Sequence, residues 1–80
     1  MMRLQIRKAM QDPDGLVLTF DYTDKHGNQT RRVVSPVRFV AAGRFLALCL
    51  NREEPRMFQM ERMENVQTAG AHLFMMPVPM

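Results

Sequence analysis

The alternation of apolar and polar positions predicts a chain built mostly of short strands. Leu16, Leu18, Phe20 and Tyr22 occupy every second position, the period of two that is typical of a strand with one apolar face. The polar segment 24–28 contains Gly27 and predicts a hairpin loop, after which residues 29–35, rich in Thr and Val, return as a second strand.

The remainder of the chain continues this spacing. Only Ala42 and Gly43 separate residues 37–41 from residues 44–50, which leaves room for a tight hairpin and nothing longer. Pro36 lacks a backbone N–H and is therefore expected at a strand start or on a sheet edge.

After a polar turn at 51–55, the pattern predicts three further segments: a strand at 56–60, one helical turn at 61–67 and a last extended piece at 72–76. Five or six short strands at near-regular spacing indicate a small closed or nearly closed barrel.

The first eleven residues fit two patterns. Met2, Ile6 and Ala9 form a helical stripe, whereas Met2, Leu4 and Ile6 alternate with polar residues as a strand would. The scarcity of β-branched residues favours a short helix, which the Asp-Pro-Asp-Gly turn at 12–15 then ends. The predicted fold class is therefore mainly β with a short N-terminal helix.

Composition limits the classes of function. The 80 residues predict one domain, 1–80, and a domain of this size buries only roughly 60% of the surface of its unfolded chain. Eleven Lys and Arg against eight Asp and Glu give a net charge of +3, and every basic residue except Lys8 and Lys25 is an arginine. Arginine favours bidentate recognition of phosphate or carboxylate, although an ordinary solvated surface explains a charge of this size equally well.

No catalytic, metal or cofactor chemistry is expected. Cys49 is the single cysteine and lies in an apolar run, which predicts a small buried hydrophobe. His26 and His72 have no third metal ligand at a suitable spacing, and no nucleophile stands beside a general base. The lone cysteine fits a reducing cytoplasm, and no segment approaches the roughly 20 apolar residues of a membrane helix, so we expect a cytoplasmic protein without a membrane partner.

Three short motifs carry a family resemblance. The chain reads RVVSP at 32–36, GRFL at 43–46 and RMFQMER at 56–62. In order and spacing these motifs resemble the WYL domain family, and the similarity runs from the N-terminal element to residue 74. It implies an SH3/Sm-like five-stranded barrel and a non-catalytic sensor, usually fused to a helix-turn-helix in bacterial transcription regulators and also found in phage-defence and CRISPR systems. These 80 residues contain no helix-turn-helix, so we expect a stand-alone domain.

The resemblance also implies site residues. Arg32, Arg56 and Arg62 match ligand-contacting positions, with Tyr22 near the same surface. Where the family has Trp-Tyr-Leu, this chain has Arg44-Phe45-Leu46, so a cation that can stack on a base or bind a phosphate replaces the stacking Trp. Strict alternation places Arg56 on the face of Phe58, so either Phe58 belongs to the ligand surface or a bulge intervenes. The candidate binding set is Tyr22, Arg32, Arg44, Arg56, Phe58 and Arg62.

The expected ligand is single-stranded nucleic acid or a nucleotide, through which the domain would modulate a partner transcription or defence complex. Alternatives remain open. The arginines can instead form surface ion pairs with Glu53, Glu54, Glu61 and Glu64, in a module for protein interaction or dimerisation. Tyr22 is either a ligand contact or a core rim residue with a wet tip. The apolar, proline-containing tail at 74–80 either packs on its own barrel, joins a weak homodimer or a protein effector, or is disordered.

Overall fold

Five antiparallel strands form one sheet in this computed structural model, which describes residues 2–50 and 54–74. The elements in chain order are α1 (Met2–Gln11), β1 (Leu16–Thr23), β2 (Gln29–Ala41), β3 (Arg44–Cys49), β4 (Pro55–Gln59) and β5 (Met63–Gly70). Two 3-10 turns, Met60–Arg62 and Ala71–Leu73, flank β5. The strand order β4-β3-β2-β1-β5 places β4 and β5 at the two edges.

The N-terminal segment is a helix, as predicted. Ile6 and Ala9, three positions apart, fall on one face of α1 and are fully buried against the sheet. The Arg3 guanidinium lies 5.1 Å from the ring centre of Phe39 on β2. Asp12 ends the helix in a turn, since its carbonyl accepts a hydrogen bond from the N–H of Leu16 at 2.8 Å.

The predicted hairpin between β1 and β2 is confirmed. Gly27 adopts a φ of 85°, which an L residue rarely takes. One carboxylate oxygen of Asp24 accepts hydrogen bonds from the backbone N–H groups of Asn28 and His26, at 2.9 and 2.8 Å. These bonds, led by that from Asn28, hold the pKa of Asp24 below its ordinary range.

Residues 29–41 form one bent strand, so the prediction of separate strands on either side of Pro36 is wrong. Pro36 lies opposite Ala47 of β3, and the β2–β3 register shifts directly after it. The pairing of β1 with β2 extends only as far as Val34. Beyond Val34, β2 pairs on one side alone within the described residues, and such a position tolerates a residue without an N–H.

The helical turn predicted at 61–67 is also wrong. The chain makes a short 3-10 turn and then pairs with the free edge of β1 as β5. Two residues of β5 oppose Phe20 alone, and Asn65 in this bulge has a φ of 53°. The extended piece predicted at 72–76 is wrong over its described part, because Ala71–Leu73 is a 3-10 turn. Residues 75 and 76 lie outside the described residues, with most of the tail.

The core shows that the sheet is strongly curled. Tyr22 on β1 and Phe58 on β4 are three strand positions apart, a separation of about 14 Å in a flat sheet. Their ring centres are nevertheless 5.0 Å apart. In the described part of the chain, β4 and β5 do not pair with each other. The mainly β fold with a short N-terminal helix is therefore confirmed, while closure into an SH3/Sm-like barrel stays a prediction.

Candidate ligand-binding site

Tyr22 is a rim residue between the core and the surface. Its ring packs edge-on against Phe20 and Phe58, with centroid distances of 6.0 and 5.0 Å. Its half-buried hydroxyl oxygen accepts a hydrogen bond from the backbone N–H of Gln59 at 3.1 Å. Because this oxygen acts as an acceptor, the hydroxyl hydrogen is left to donate to another group.

Arg32 lies beside Tyr22 on the same side of the sheet. Thr30 is the register partner of Tyr22, and Arg32 follows two positions later on β2. The Nε of Arg32 donates a hydrogen bond to Oγ1 of Thr30 at 3.0 Å. A neutral hydroxyl therefore orients this guanidinium next to Tyr22.

Arg62 reaches the same neighbourhood through Gln59. Arg62 lies in the 3-10 turn directly before Met63, which pairs with Tyr22. Its Nε donates to Oε1 of Gln59 at 3.2 Å, and the backbone N–H of that Gln59 bonds to Tyr22. Tyr22, Arg32 and Arg62, three of the six candidate residues, are thus connected through Thr30 and Gln59.

Arg56 and Phe58 share a face of β4, as alternation predicted, and the β3–β4 register contains no bulge. Phe58 is only 1% exposed and lies among the rings of Phe20, Tyr22 and Phe45. The structure therefore places Phe58 in the core, where its ring supports Tyr22 and presents no face to a ligand. Arg56 is exposed, two positions nearer the start of the strand.

Arg44 lies on the opposite face of β3 from the buried Phe45. It is exposed and pairs in register with Gln59 on β4. A shallow depression of about 270 Å³ lies beside it, lined by Ala42, Gly43, Arg44, Gln59 and Glu61. Gln59 is therefore a neighbour of both Arg44 and Tyr22.

The candidate arginines form no ion pair with any described carboxylate. Among residues 2–50 and 54–74 the one ion pair joins Arg31 and Asp21, at 3.2 Å. Arg32, Arg44, Arg56 and Arg62 form no ion pair with Glu54, Glu61 or Glu64, the described members of the carboxylate set considered above. Glu53 lies outside the described residues. The arrangement can therefore attract and bind an anion.

Sequence reasoning missed Thr30 and Gln59, which orient two of the arginines. Two signals were present: Thr30 is two positions from Arg32, on the same strand face, and Gln59 is three positions from Arg62. Neither spacing is informative until the sheet curl and the 3-10 turn are known.

A second polar network, also missed, lies on the other face of the sheet. Asn65 Nδ2 donates to Oδ2 of Asp21 at 2.8 Å, and Arg31 donates to Oδ1 of Asp21 and to Oγ1 of Thr19. The hydrogen bond from Asn65, with further help from Arg31, holds the pKa of Asp21 below its ordinary value. Asn65 lies in the β5 bulge, so its hydrogen bonds to Asp21 and Arg31 attach the bulge to β1 and β2.

The remaining chemical candidates take no part in this site. Cys49 is buried, as its apolar surroundings predicted. The described residues bring together no three His, Cys, Asp or Glu side chains that could hold a metal ion. No helix in the described part of the chain combines the length and the apolar character needed to cross a membrane.

Comparison with protein-family models gives a match over most of the chain. The model of the WYL domain matches residues 4–68, a span that runs from α1 into β5 and contains all six candidate residues. WYL domains are generally regulatory and ligand-sensing rather than catalytic. Because the match covers well over half of its 80 residues, this chain belongs to the WYL domain family.

Proposed function

We propose that this WYL domain is a non-catalytic module that binds single-stranded nucleic acid or a nucleotide and thereby modulates a partner transcription or phage-defence complex. The binding surface comprises Tyr22, Arg32, Arg62 and Arg56, and Arg44 extends it to the opposite face of β3, beside Gln59. Phe58 contributes through the core, by supporting the ring of Tyr22.

One observation carries this proposal: Arg32 and Arg62 are oriented by neutral acceptors and paired with no described carboxylate. Each uses its Nε on a hydroxyl or amide oxygen, at 3.0 and 3.2 Å. The terminal nitrogens of both guanidinium groups make no hydrogen bond within the described residues. A planar donor set of this kind is suited to phosphate oxygens.

Tyr22 adds a second type of contact. Its tip is half-buried at the surface, where it can donate its hydroxyl hydrogen to a phosphate or a base edge. Aromatic rims beside a cationic surface favour single strands, because unpaired bases are accessible for contact. A duplex offers the phosphates but keeps its bases stacked, so we expect weaker binding.

A binding titration tests the proposal. Fluorescence anisotropy with labelled single strands of about ten nucleotides is compared with the matched duplex at low salt. We expect tighter binding of the single strand and, for contact with about three phosphates, a log–log salt slope near −2. The absence of binding to any single strand or nucleotide at low salt would remove this function.

A protein-interaction role is the second candidate, favoured by exposed apolar side chains on β3 and β4. Leu48 is 41% exposed and Met57 46% exposed on neighbouring strands. The edge strand β4 carries Met57 and has one side without a strand partner among the described residues. A second copy of this chain, paired edge to edge through β4, would give Met57 a cross-strand neighbour in a weak homodimer, while Leu48, one strand further in, would stay uncovered.

A further inference from the structure

We infer that the depression beside the β2–β3 turn is a second anion subsite, which takes an internal phosphodiester of a single strand. This inference rests on the proposed function and names a contact beyond Tyr22 and Arg32. Its residues are Arg44 and Glu61, the turn residues Ala42 and Gly43, and Gln59.

Two arginines converge on the side chain of Gln59. Arg44 and Gln59 are register partners, so their Cβ atoms lie about 5 Å apart on one side of the sheet. Arg62 approaches the same side chain and donates its Nε to Oε1 of Gln59. The amide oxygen of Gln59 is thus occupied, while its NH₂ group has no hydrogen-bond partner within the described residues. Two guanidinium groups and an amide donor therefore surround one point.

The backbone of the depression is compatible with an anion. Gly43, the second residue of the turn, adopts a φ of 77°, a conformation that glycine takes without steric cost. Its carbonyl oxygen would repel a phosphate, but it accepts a hydrogen bond from the N–H of Met60 at 2.8 Å. This bond also joins the turn to the end of β4, so the lining residues from both elements are fixed relative to each other.

Size and charge define the ligand group. The depression is open and has a volume of about 270 Å³, so an internal group of a longer ligand can enter it while the rest of the ligand stays outside. It suits one group of a larger ligand. The guanidinium groups of Arg44 and Arg62 outnumber the single carboxylate of Glu61, so the depression attracts an anion and Glu61 weakens that attraction. The backbone N–H of Gln59 bonds to Tyr22 and its side chain lies beside Arg44, so a single strand that contacts both subsites crosses the β4 edge at this residue.

The test uses the full chain and two probes: a single strand of about ten nucleotides without terminal phosphates, and a nucleoside 5′-monophosphate. Arg44→Ala should weaken the strand about fivefold and change the monophosphate less than about twofold. Glu61→Gln should tighten the strand about threefold, because it removes a repelling charge. Arg7→Ala is the matched control, since it removes an equal charge from an exposed position on α1.

Each result has a distinct meaning. Equal weakening of the strand by Arg44→Ala and Arg7→Ala would overturn the subsite and leave the proposed function intact. Weakening of the monophosphate alone would assign the depression to a terminal phosphate and overturn the phosphodiester. Failure of the unmodified chain to bind either probe would remove the proposed function, and this subsite with it. Arg44 and Glu61 are both exposed, and circular dichroism melts verify that the variants are folded.

Discussion

The backbone N–H of Gln59 donates a hydrogen bond to the hydroxyl oxygen of Tyr22 across 3.1 Å, joining the edge strand β4 to the far end of β1. No strand pairing connects these two strands in the described part of the chain. This bond and the contacts of the Phe58 ring with Tyr22 and Phe20 therefore hold the curl of the sheet on the side where the candidate site lies.

Removing the Tyr22 hydroxyl should loosen this junction without emptying the core. Tyr22→Phe retains the ring contacts and removes the acceptor for the Gln59 N–H, so we expect a loss of about 1 kcal/mol in the free energy of unfolding. Urea denaturation followed by circular dichroism measures the change. An unchanged unfolding free energy would show that water replaces the hydroxyl at no cost.

Removing single arginines should separate ligand binding from folding. Arg32→Ala, Arg56→Ala and Arg62→Ala should each weaken single-strand binding by about 1 to 3 kcal/mol, because each removes charge-assisted hydrogen bonds to phosphate. Arg7→Ala serves as the charge-matched control and should change binding only slightly.

The same arginine variants should melt close to the unmodified protein. Phe45→Ala, in contrast, should lower the free energy of unfolding by about 3 to 5 kcal/mol, since Phe45 is fully buried. Such a loss is large for a domain whose total stability is about 4 to 12 kcal/mol. Arginine variants that destabilise the fold as strongly as Phe45→Ala would show that these side chains hold the sheet together.

Asp21 should make stability depend on pH in a defined direction. Its pKa in the folded chain lies below the usual 3.8, so the unfolded chain binds more protons near that pH. The contribution of Asp21 is present above about pH 3.8 and is lost as the pH falls through the lower, folded pKa. The difference in Tm between the unmodified protein and Asp21→Asn should therefore be largest near neutral pH and shrink in strong acid.

Asp14→Asn is the control for this comparison, because Asp14 is exposed and makes no side-chain hydrogen bond within the described residues. Asp24, whose pKa is also lowered, titrates in all three proteins and cancels in the difference. A Tm difference for Asp21→Asn that persists unchanged in strong acid would show that the effect of the substitution does not arise from the charge of Asp21.

The homodimer proposal predicts that β4 is sensitive to charge. Met57→Lys places a cation on the exposed side of the edge strand, where lysine discourages pairing with another chain. Sedimentation velocity at several protein concentrations should show self-association of the unmodified chain and a shift toward monomer for this variant. Leu4→Lys, at an exposed apolar position on α1, is the matched control. A monomer at all concentrations in every protein would contradict this role.

Local patterns were sufficient for the first half of the fold and insufficient for the second. The strict alternation from Leu16 to Tyr22 predicted β1, and the loop containing Gly27 predicted its hairpin. β5 escaped prediction because the bulge at Asn65 breaks the alternation, and because its stability comes from pairing with β1. Pro36 suggested a strand boundary. The strand continues through it because the pairing of β2 with β1 ends at Val34, so Pro36 needs no N–H for that neighbour.

The sequence also predicted one part of the candidate site and missed another. The family resemblance selected the arginines and Tyr22, and alternation correctly placed Phe58 on the face of Arg56. Alternation alone cannot show which part of a face another strand covers, and the curl buries Phe58 while leaving Arg56 exposed. The acceptors Thr30 and Gln59 depend on the same curl, so local sequence patterns could not identify them.

The position of Tyr22 also has an optical consequence. The chain contains one tyrosine and no tryptophan, so its near-ultraviolet emission arises almost entirely from this rim side chain. The hydroxyl of that fluorophore bonds to Gln59, its ring touches Phe58, and its tip reaches the surface. The protein therefore carries a built-in, label-free reporter, whose emission lifetime responds both to opening of the β1–β4 junction and to occupation of the neighbouring surface.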